Sequence, residues 1–253
     1  IRGVSEEIIT EEELVQLLET NDHPIAYDGF EPSGLASIPF AIYRAINLQD
    51  LLKAGIRFKL WLADYFAFLN NKMQGDLGLI RLVGEYFVEV WKAAGVDMDK
   101  VEVLWTSDAI GDRKYWDIVL QVARNTTLRR TFRALTIMGR KEGELQETAQ
   151  LFYPMMQVAD IFYLKADITQ LGLDQRRANI LARELGPRLG FWKPVVVSHH
   201  MLMGLDGPKG LEGYDEDAAI DSAISSKMSK SKPESCIYVH DSKAEIRKKV
   251  MSA

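Results

Sequence analysis

Short apolar segments alternate with helical patterns along the first half of the chain, and this alternation limits the fold more than any other feature of the sequence. One strand is predicted to start at residues 25–27, and a second covers the apolar run 58–63. A helical pattern from about 40 to 54 separates them, and a longer one, about 76–94, leads to a third strand at 101–105. This order predicts an α/β fold, a Rossmann-like doubly wound parallel sheet.

Helical patterns replace the alternation in the middle of the chain. Residues 114–138 and 144–163 are both predicted to be helical, so we expect a helical connective insertion at about 112–165. Beyond it the alternation resumes, with a strand, a helix and a strand predicted at 168–171, 175–185 and 194–197. The sequence therefore predicts one sheet that is interrupted by a helical segment.

Composition excludes several classes of protein. With 253 residues, 47% of them hydrophobic, the chain can bury a substantial core, and its net charge of −5 argues against coating nucleic acid through bulk charge. The single cysteine, Cys236, excludes a disulfide framework, and His199 and His200 have no carboxylate or cysteine at ligand spacing, so no metal site is predicted. No apolar run approaches the ~20 residues of a membrane span. The start has no secretion signal, so we expect a cytoplasmic protein without a membrane partner.

A polar loop at about 224–233 concentrates positive charge and hydroxyl groups. Two residues, Met228 and Ser229, separate Lys227 from Lys230, and Ser231 follows. Flexible ammonium groups, hydroxyls and backbone N–H groups together suit the oxygens of a triphosphate. The stretch before the loop, 206–226, is rich in Gly, Asp and Glu and is predicted to be an exposed excursion.

Two further segments carry polar groups in places that favour a ligand. The first predicted strand ends in a turn, residues 27–34, where glycines such as Gly29 let a ligand approach the backbone. In the helical pattern near 152–164, a phenol, an amide and a carboxylate share one face at i, i+4 and i+7, namely Tyr153, Gln157 and Asp160. Polar groups in such an apolar helix must satisfy one another or a ligand.

Several motifs occur in the order found in archaeal and eukaryotic-type tyrosyl-tRNA synthetases. They are the turn Tyr-x-Gly-Phe-Glu-Pro-Ser-Gly at 27–34, the pair at 63–64, the segments 153–160 and 173–177, and the Lys-Met-Ser-Lys-Ser loop that marks class I aminoacyl-tRNA synthetases. The chain resembles the catalytic domain of this family over nearly its whole length.

The resemblance implies a role for each matching residue. Asp160 and Tyr27 would hydrogen-bond the phenol of a tyrosine substrate, and its α-amino group would be held by Tyr153, Gln157 and Gln175. Lys227 and Lys230 would stabilise charge on the reacting phosphates as catalytic residues. The remaining ATP contacts implied by the family are Gly29, Glu31, Ser37, Met228, Ser229 and Ser231.

The resemblance also implies a reaction and partners. The tyrosine carboxylate attacks the α-phosphorus of ATP, giving tyrosyl-adenylate and pyrophosphate, and the acyl group then passes to tRNA(Tyr). Mg²⁺ is expected to bridge the phosphates, and a homodimer is expected through the helical insertion. The anticodon-binding domain of the family would follow residue 253 and is absent from the sequence. Arginines of the insertion either face the tRNA or form a solvated helix face: Arg124, Arg129, Arg130 and Arg133.

One segment departs from the family pattern. Where relatives carry a His-x-Gly-His-like motif that meets the ATP phosphates, the chain reads Ser-Ile-Pro-Phe at 37–40. Ser37 can still donate a hydrogen bond but supplies no imidazole, and Pro39 removes a backbone donor. A second departure is Phe66, where archaeal relatives tend to have histidine.

Two alternative functions therefore stay open. The altered motif is compatible with a non-catalytic synthetase paralogue that binds tRNA or a protein. A tryptophanyl-tRNA synthetase shares the fold and the lysine loop, although an indole would be poorly served by Asp160 and Tyr27.

Overall fold

A six-stranded sheet forms the centre of the molecule. The computed structural model describes residues 1–140, 144 and 147–253. The strands are β1 (Ser5–Ile9), β2 (Ile25–Phe30), β3 (Arg57–Leu62), β4 (Val101–Trp105), β5 (Ile168–Thr169) and β6 (Val195–His199). They lie in the order β1-β6-β5-β2-β3-β4. All neighbours are parallel except β1, which runs antiparallel to β6, so the predicted α/β, Rossmann-like sheet is confirmed.

Helices connect the strands and cover the sheet. The α-helices are α1 (Glu11–Thr20), α2 (Arg44–Lys53), α3 (Asp64–Leu69), α4 (Leu77–Ala93), α5 (Thr106–Ala109), α6 (Arg113–Arg124), α7 (Leu128–Ala134), α8 (Tyr153–Tyr163), α9 (Arg176–Arg188), α10 (Ala218–Ser225) and α11 (Lys243–Met251). A π-helix, Pro39–Tyr43, leads directly into α2. None of the helices in the described part of the chain combines the length and apolarity that a membrane crossing requires.

The strand order places a crevice at the end of β2. From β2 the chain adds β3 and β4 on one side of the sheet, and later β5 and β6 on the other. The connections that leave β2 and β5 therefore diverge, and in open parallel sheets ligands bind outside the carboxyl ends of the strands at such a switch point.

The core has two layers, one on each face of the sheet. Alternate residues of a strand point to opposite faces, so Tyr27 and Trp61 join the layer that contains the helical insertion. On the other face, Phe58 and Leu60 of β3 pack with Trp91 of α4. The insertion helices therefore lie directly over the side of the sheet from which Tyr27 projects.

The described residues from Arg113 to Tyr163 are mainly helical, and the helices are divided differently from the predicted pattern. The single helix expected at 114–138 is two helices, because Thr126 Oγ1 donates to the Val122 carbonyl at 2.8 Å and the Thr127 side chain caps α7. The helix expected at 144–163 begins as a 3₁₀ turn, Thr148–Phe152, and becomes α-helical at Tyr153. Most of its predicted first turn, at 145–146, lies outside the described residues, as does the adjacent stretch 141–143.

Three further differences concern the edges of the sheet and the excursion. Strand β1 is absent from the predictions because Ser5, Glu6 and Glu7 are polar, yet an edge strand needs few apolar residues. Strand β5 has two residues where four were expected, at 168–171. The excursion at 206–226 contains α10, and its Asp221 accepts backbone hydrogen bonds from residues 213–215, so this stretch is partly buried and folded.

Candidate active site

A cavity of about 660 Å³ opens at the switch point of the sheet. All the predicted site residues line it: Tyr27, Gly29, Glu31, Ser37, Tyr153, Gln157, Asp160, Gln175, Lys227, Met228, Ser229, Lys230 and Ser231. Trp61 and Phe66 line it as well, whereas Ala109 belongs to the core. The structure thus brings together segments that are up to about two hundred residues apart; the individual roles stay predictions.

The Asp160 carboxylate and the Tyr27 phenol line the deep end of the cavity, and a second phenol, Tyr115, lies behind the carboxylate. Tyr115 of α6 donates a hydrogen bond to Asp160 Oδ1 at 2.8 Å. The Tyr27 hydroxyl is buried and has no hydrogen-bond partner in the described residues. Burial raises the pKa of Asp160 well above its ordinary value, although hydrogen bonding by Tyr115 opposes this rise. Burial raises the pKa of Tyr27 most, and the Asp160 carboxylate raises it further. The Tyr27 hydroxyl therefore keeps its proton, which stays available to a ligand.

Amide and phenol groups form the middle of the cavity. Gln157 donates to Gln175 Oε1 at 2.9 Å, and Gln175 in turn donates to the Ile137 carbonyl at 3.0 Å. The Tyr153 hydroxyl donates to Glu31 Oε1 at 2.7 Å. Glu31, predicted as an ATP contact, therefore lies beside the groups predicted to hold an amine, and its carboxylate can attract a cation there.

The lysine loop closes the other end of the cavity. Lys227 Nζ is 2.5 Å from Asp174 Oδ2, and Lys230 Nζ donates to Ser33 Oγ at 2.8 Å. Burial lowers the pKa of Lys230 to about 8, although the Glu31 carboxylate opposes this shift. Both ammonium groups thus face the cavity through contacts that an anionic ligand could replace.

A buried group of charges below the loop was not found from the sequence. Arg44 Nη1 is 2.5 Å from Asp28 Oδ2, and burial raises the pKa of Asp28 to about 7 despite that guanidinium. Burial tends to raise the pKa of Asp174, but Lys227 holds it below its ordinary value. Gln170 Nε2 donates to His199 Nδ1 at 3.0 Å, and burial lowers the pKa of His199 well below the usual range. No periodicity signals these contacts, because each joins separate elements.

The departing segment at 37–40 enters the first helix in an unusual way. Ser37 lines the cavity and pairs with Tyr238 through a backbone bridge, so the chain beyond the lysine loop returns to this point. Phe40 packs edge-on against Phe30 and at a tilt against Phe87, with ring centroids 5.1 and 4.1 Å apart. An aromatic cluster therefore occupies the helix entry, where the resembled family has a polar motif.

The geometry and the comparisons with known proteins agree. A sequence model of the family described as tRNA synthetases class I (W and Y) matches residues 19–211, and the chain belongs to this family. "Tyrosine--tRNA ligase 1, cytoplasmic" of Arabidopsis thaliana is 49% identical over 100% of the chain and 62% of its own length.

Solved structures give the same result. A Leishmania major tyrosyl-tRNA synthetase in complex with tyrosinol superposes with a TM-score of 0.88 at 46% identity, covering 100% of the chain and 35% of that protein. A Pyrococcus horikoshii tyrosyl-tRNA synthetase complexed with L-tyrosine has a TM-score of 0.88 at 37% identity, covering 98% of the chain and 71% of that protein. The chain thus spans under two thirds of the Arabidopsis and Leishmania relatives.

Proposed function

We propose that the protein activates tyrosine with ATP, forming tyrosyl-adenylate and pyrophosphate, and transfers the tyrosyl group to tRNA(Tyr). One observation carries this proposal: a single cavity joins Tyr27 and Asp160 at its deep end to Lys227 and Lys230 at its mouth. A hydroxyl-bearing amino acid and a triphosphate would therefore meet between the two ends.

The deep end supports tyrosine as the amino acid. A substrate hydroxyl can donate to Asp160 and accept from Tyr27, whose own hydroxyl has no partner in the described residues. The α-ammonium group is then in reach of Tyr153, Gln157 and Gln175 in the middle of the cavity. The relatives of known structure were solved with tyrosinol and with L-tyrosine, which fits this assignment.

The mouth supports ATP as the second substrate. The lining of the whole cavity has more basic than acidic side chains, with Arg44, Lys72, Lys209, Lys227, Lys230 and Lys232 against Glu31, Asp160, Asp174 and Glu212. The tyrosine carboxylate is already a nucleophile: its oxygen bonds to the α-phosphorus while the bond to the bridging oxygen of pyrophosphate breaks. The protein contributes alignment, and Lys227 and Lys230 stabilise charge on the leaving pyrophosphate.

Mg²⁺ would be carried by the nucleotide. Across 1–140, 144 and 147–253, no group of three or more His, Cys, Asp and Glu side chains could hold a metal ion. The ion would therefore bridge phosphate oxygens of ATP, adding positive charge to that of the lysine loop. No residue of the chain is assigned to it as a ligand.

The insertion supports the proposed macromolecular partners. Leu120, Leu128 and Phe152 are exposed apolar residues on it, as a homodimer contact requires. An arginine-rich cavity of about 620 Å³ beside α7 and α9 suits the backbone of the tRNA, with Arg129, Arg130, Arg133, Arg176 and Arg177 in its lining. The cytoplasm is the proposed location, and the name of the Arabidopsis relative includes the word cytoplasmic.

A second candidate function is a non-catalytic synthetase paralogue that binds tRNA or a protein and does not activate tyrosine. Ser37 favours this alternative, since it lines the cavity where the resembled family has a phosphate-facing histidine. Tryptophan is the rival substrate, because the family description covers both amino acids.

Tyrosine-dependent exchange of pyrophosphate into ATP tests the proposal. We expect exchange with tyrosine and little with phenylalanine or tryptophan, and charging of tRNA(Tyr) in a second assay. Tyrosine binding without pyrophosphate exchange would indicate a non-catalytic paralogue. Exchange that depends on tryptophan would show that tryptophan, and not tyrosine, is the substrate. Lys248→Ala, an exposed lysine on α11, is a control that should leave exchange unchanged.

A further inference from the structure

The partner of Asp160 lies on a different helix from Asp160 itself. Tyr115 on α6 is fully buried at 0% exposure, and its hydroxyl donates to Asp160 Oδ1 on α8 at 2.8 Å. Its ring packs edge-on against Tyr163, with centroids 5.3 Å apart. Because Tyr115 is fully buried, water does not take the place of its hydroxyl if that group is removed.

The two phenols beside Asp160 have different hydrogen bonding. Tyr115 uses its single proton on Asp160, whereas the Tyr27 hydroxyl is unpartnered in the described residues. The Trp61 indole also favours the ionised form of Asp160, but its N–H has no hydrogen-bond partner among the residues that the structure describes. Oδ1 of Asp160 is therefore occupied by the protein, and Oδ2 remains for a ligand.

We propose that Tyr115 is a positioning residue for hydroxyl recognition: it fixes the orientation of the Asp160 carboxylate and favours its ionised form, so that Oδ2 accepts from the substrate phenol. The inference rests on the proposed function, because it takes tyrosine as the ligand of this end of the cavity. Tyr115 makes no contact with the substrate and acts through Asp160 alone.

Asp160 is the carboxyl group of this cluster, and burial raises its pKa well above the ordinary value, although the hydrogen bond from Tyr115 opposes the rise. The titratable groups facing it are the phenols of Tyr27 on β2, Tyr115 on α6 and Tyr153 on α8, and burial raises the pKa of each well above its ordinary value. Asp160 accepts a charge-assisted hydrogen bond from a phenol only when ionised, so hydroxyl-dependent affinity weakens as pH falls through its pKa. Removing the Tyr115 hydroxyl raises that pKa further, and the loss then starts at a higher pH.

The test is calorimetric binding of tyrosine and of phenylalanine to the chain without ATP. Tyr115→Phe should lower the ratio of the two affinities about tenfold, the usual scale for a hydrogen bond to a charged group. Tyrosine affinity falls at acid pH, and this fall, the acid limb, should begin at a higher pH in the variant. Phenylalanine affinity should show no acid limb. Tyr163→Phe is the matched control, since its hydroxyl donates to Asp112, away from the cavity, at 3.2 Å.

Two further variants keep the test decisive. In an Asp160→Asn background Tyr115→Phe should leave the affinity ratio unchanged, because Tyr115 acts through Asp160. A fluorinated tyrosine at position 115 keeps the shape and donates more strongly, so it should move the acid limb to lower pH even if Tyr115→Phe does not fold.

The outcomes separate the inference from the proposed function. Suppose that the unmodified chain prefers tyrosine, but Tyr115→Phe changes neither the ratio of tyrosine to phenylalanine affinity nor the pH of the acid limb. That result would overturn the role of Tyr115 and leave the proposed function intact. Failure of the unmodified chain to prefer tyrosine over phenylalanine would overturn the substrate assignment of the proposed function.

Discussion

The Tyr27 hydroxyl is a polar group that the described part of the protein buries without a hydrogen bond. An unsatisfied buried group costs about 1–3 kcal/mol unless a ligand or water completes it. Asp160, nearby, has one carboxylate oxygen bound by Tyr115 and the other facing the cavity. A ligand hydroxyl between Tyr27 and Asp160 would satisfy both residues, so we expect single substitutions here to change selectivity more than stability.

Asp160→Ala should reduce discrimination between tyrosine and phenylalanine. A charge-assisted hydrogen bond in a dry pocket contributes roughly 1.5–3 kcal/mol, so the ratio of kcat/KM values should fall by about one to two decades. Pyrophosphate exchange with each amino acid measures it. Asp117→Ala, a carboxylate exposed on α6, is the control. A variant that keeps the full ratio would show that Asp160 does not read the hydroxyl.

Lys227→Ala and Lys230→Ala should act on the transition state. Each should lower the rate of adenylate formation about 10²–10³-fold, the scale for one electrostatic contact with developing charge, while tyrosine affinity barely changes. Single-turnover kinetics and tyrosine titration separate the two quantities. Loss of tyrosine affinity with a normal rate at saturation would contradict this assignment.

The pKa of Lys230 predicts a pH dependence. Burial lowers this pKa to about 8, so the ammonium is charged below that pH and loses its proton as pH rises through it. Adenylate formation at low ATP concentration should therefore fall on the alkaline side of about pH 8. Lys230→Arg keeps a charged group at all these pH values, so it should abolish this fall in rate, the alkaline limb of the pH profile. An identical alkaline limb in Lys230→Arg would assign the titration to another group.

Motifs located the predicted site residues from the sequence, and the contacts among them required the structure. Every candidate from Tyr27 to Ser231 lines one cavity. Tyr115 escaped notice because a buried phenol on an amphipathic helix has the same sequence pattern as a core tyrosine. The pairing of Lys227 with Asp174 also escaped, because it joins residues 53 positions apart on different elements.

Among the elements, α9 shows how packing outweighs intrinsic preference. Gly186 lies inside this helix, where alanine would normally be favoured by about 1 kcal/mol. A Cβ at Gly186, however, would lie 2.2 Å from the Trp192 carbonyl oxygen and 3.2 Å from the Phe162 ring. The backbone on both sides of the contact would have to move.

Gly186→Ala should therefore destabilise the protein by about 1–3 kcal/mol or more, the usual cost of overpacking. Urea unfolding measures the change. Gly210→Ala is the control, since its added Cβ would meet nothing within 4 Å. Equal stabilities of the two variants would mean that α9 and the loop at Trp192 can separate at no cost.

Element boundaries followed the sequence where glycine and capping residues mark them. Gly55 and Gly95 have φ of 82° and 83°, the left-handed conformation that ends a helix, and both ends fall within about a residue or two of their predicted places. The break between α6 and α7 was missed, because Thr126 and Thr127 continue an acceptable helical pattern until their hydroxyls bond the backbone.

For the whole molecule, the sequence predicted the class of sheet and left the strand order open. Alternation of strands and helices fixes parallel pairing between β2, β3 and β4. The position of β5 beside β2, which creates the cavity, depends on where the chain returns after the helical insertion. Strand β1 is held by pairing with β6, a contact between opposite ends of the chain that local patterns do not encode.

The global stability of the fold should depend on pH through two buried groups of opposite effect. Burial lowers the pKa of His199 well below 6.5, so stability is present above pH 6.5 and is lost as pH falls below it. Burial raises the pKa of Asp28 from 3.8 to about 7, so this group adds stability as pH falls through about 7 towards 3.8.

His199→Gln should unmask the contribution of Asp28, because glutamine can still bond Gln170 but does not titrate. Relative to the variant, the unmodified protein should lose up to about 1.4 kcal/mol per pH unit below pH 6.5, the limit for one proton. Urea unfolding at a series of pH values measures the difference, with His23→Gln, an exposed histidine, as the control. A difference that stays constant across this range would mean that His199 titrates alike in the folded and unfolded chain, and that another group sets the pH dependence of the fold.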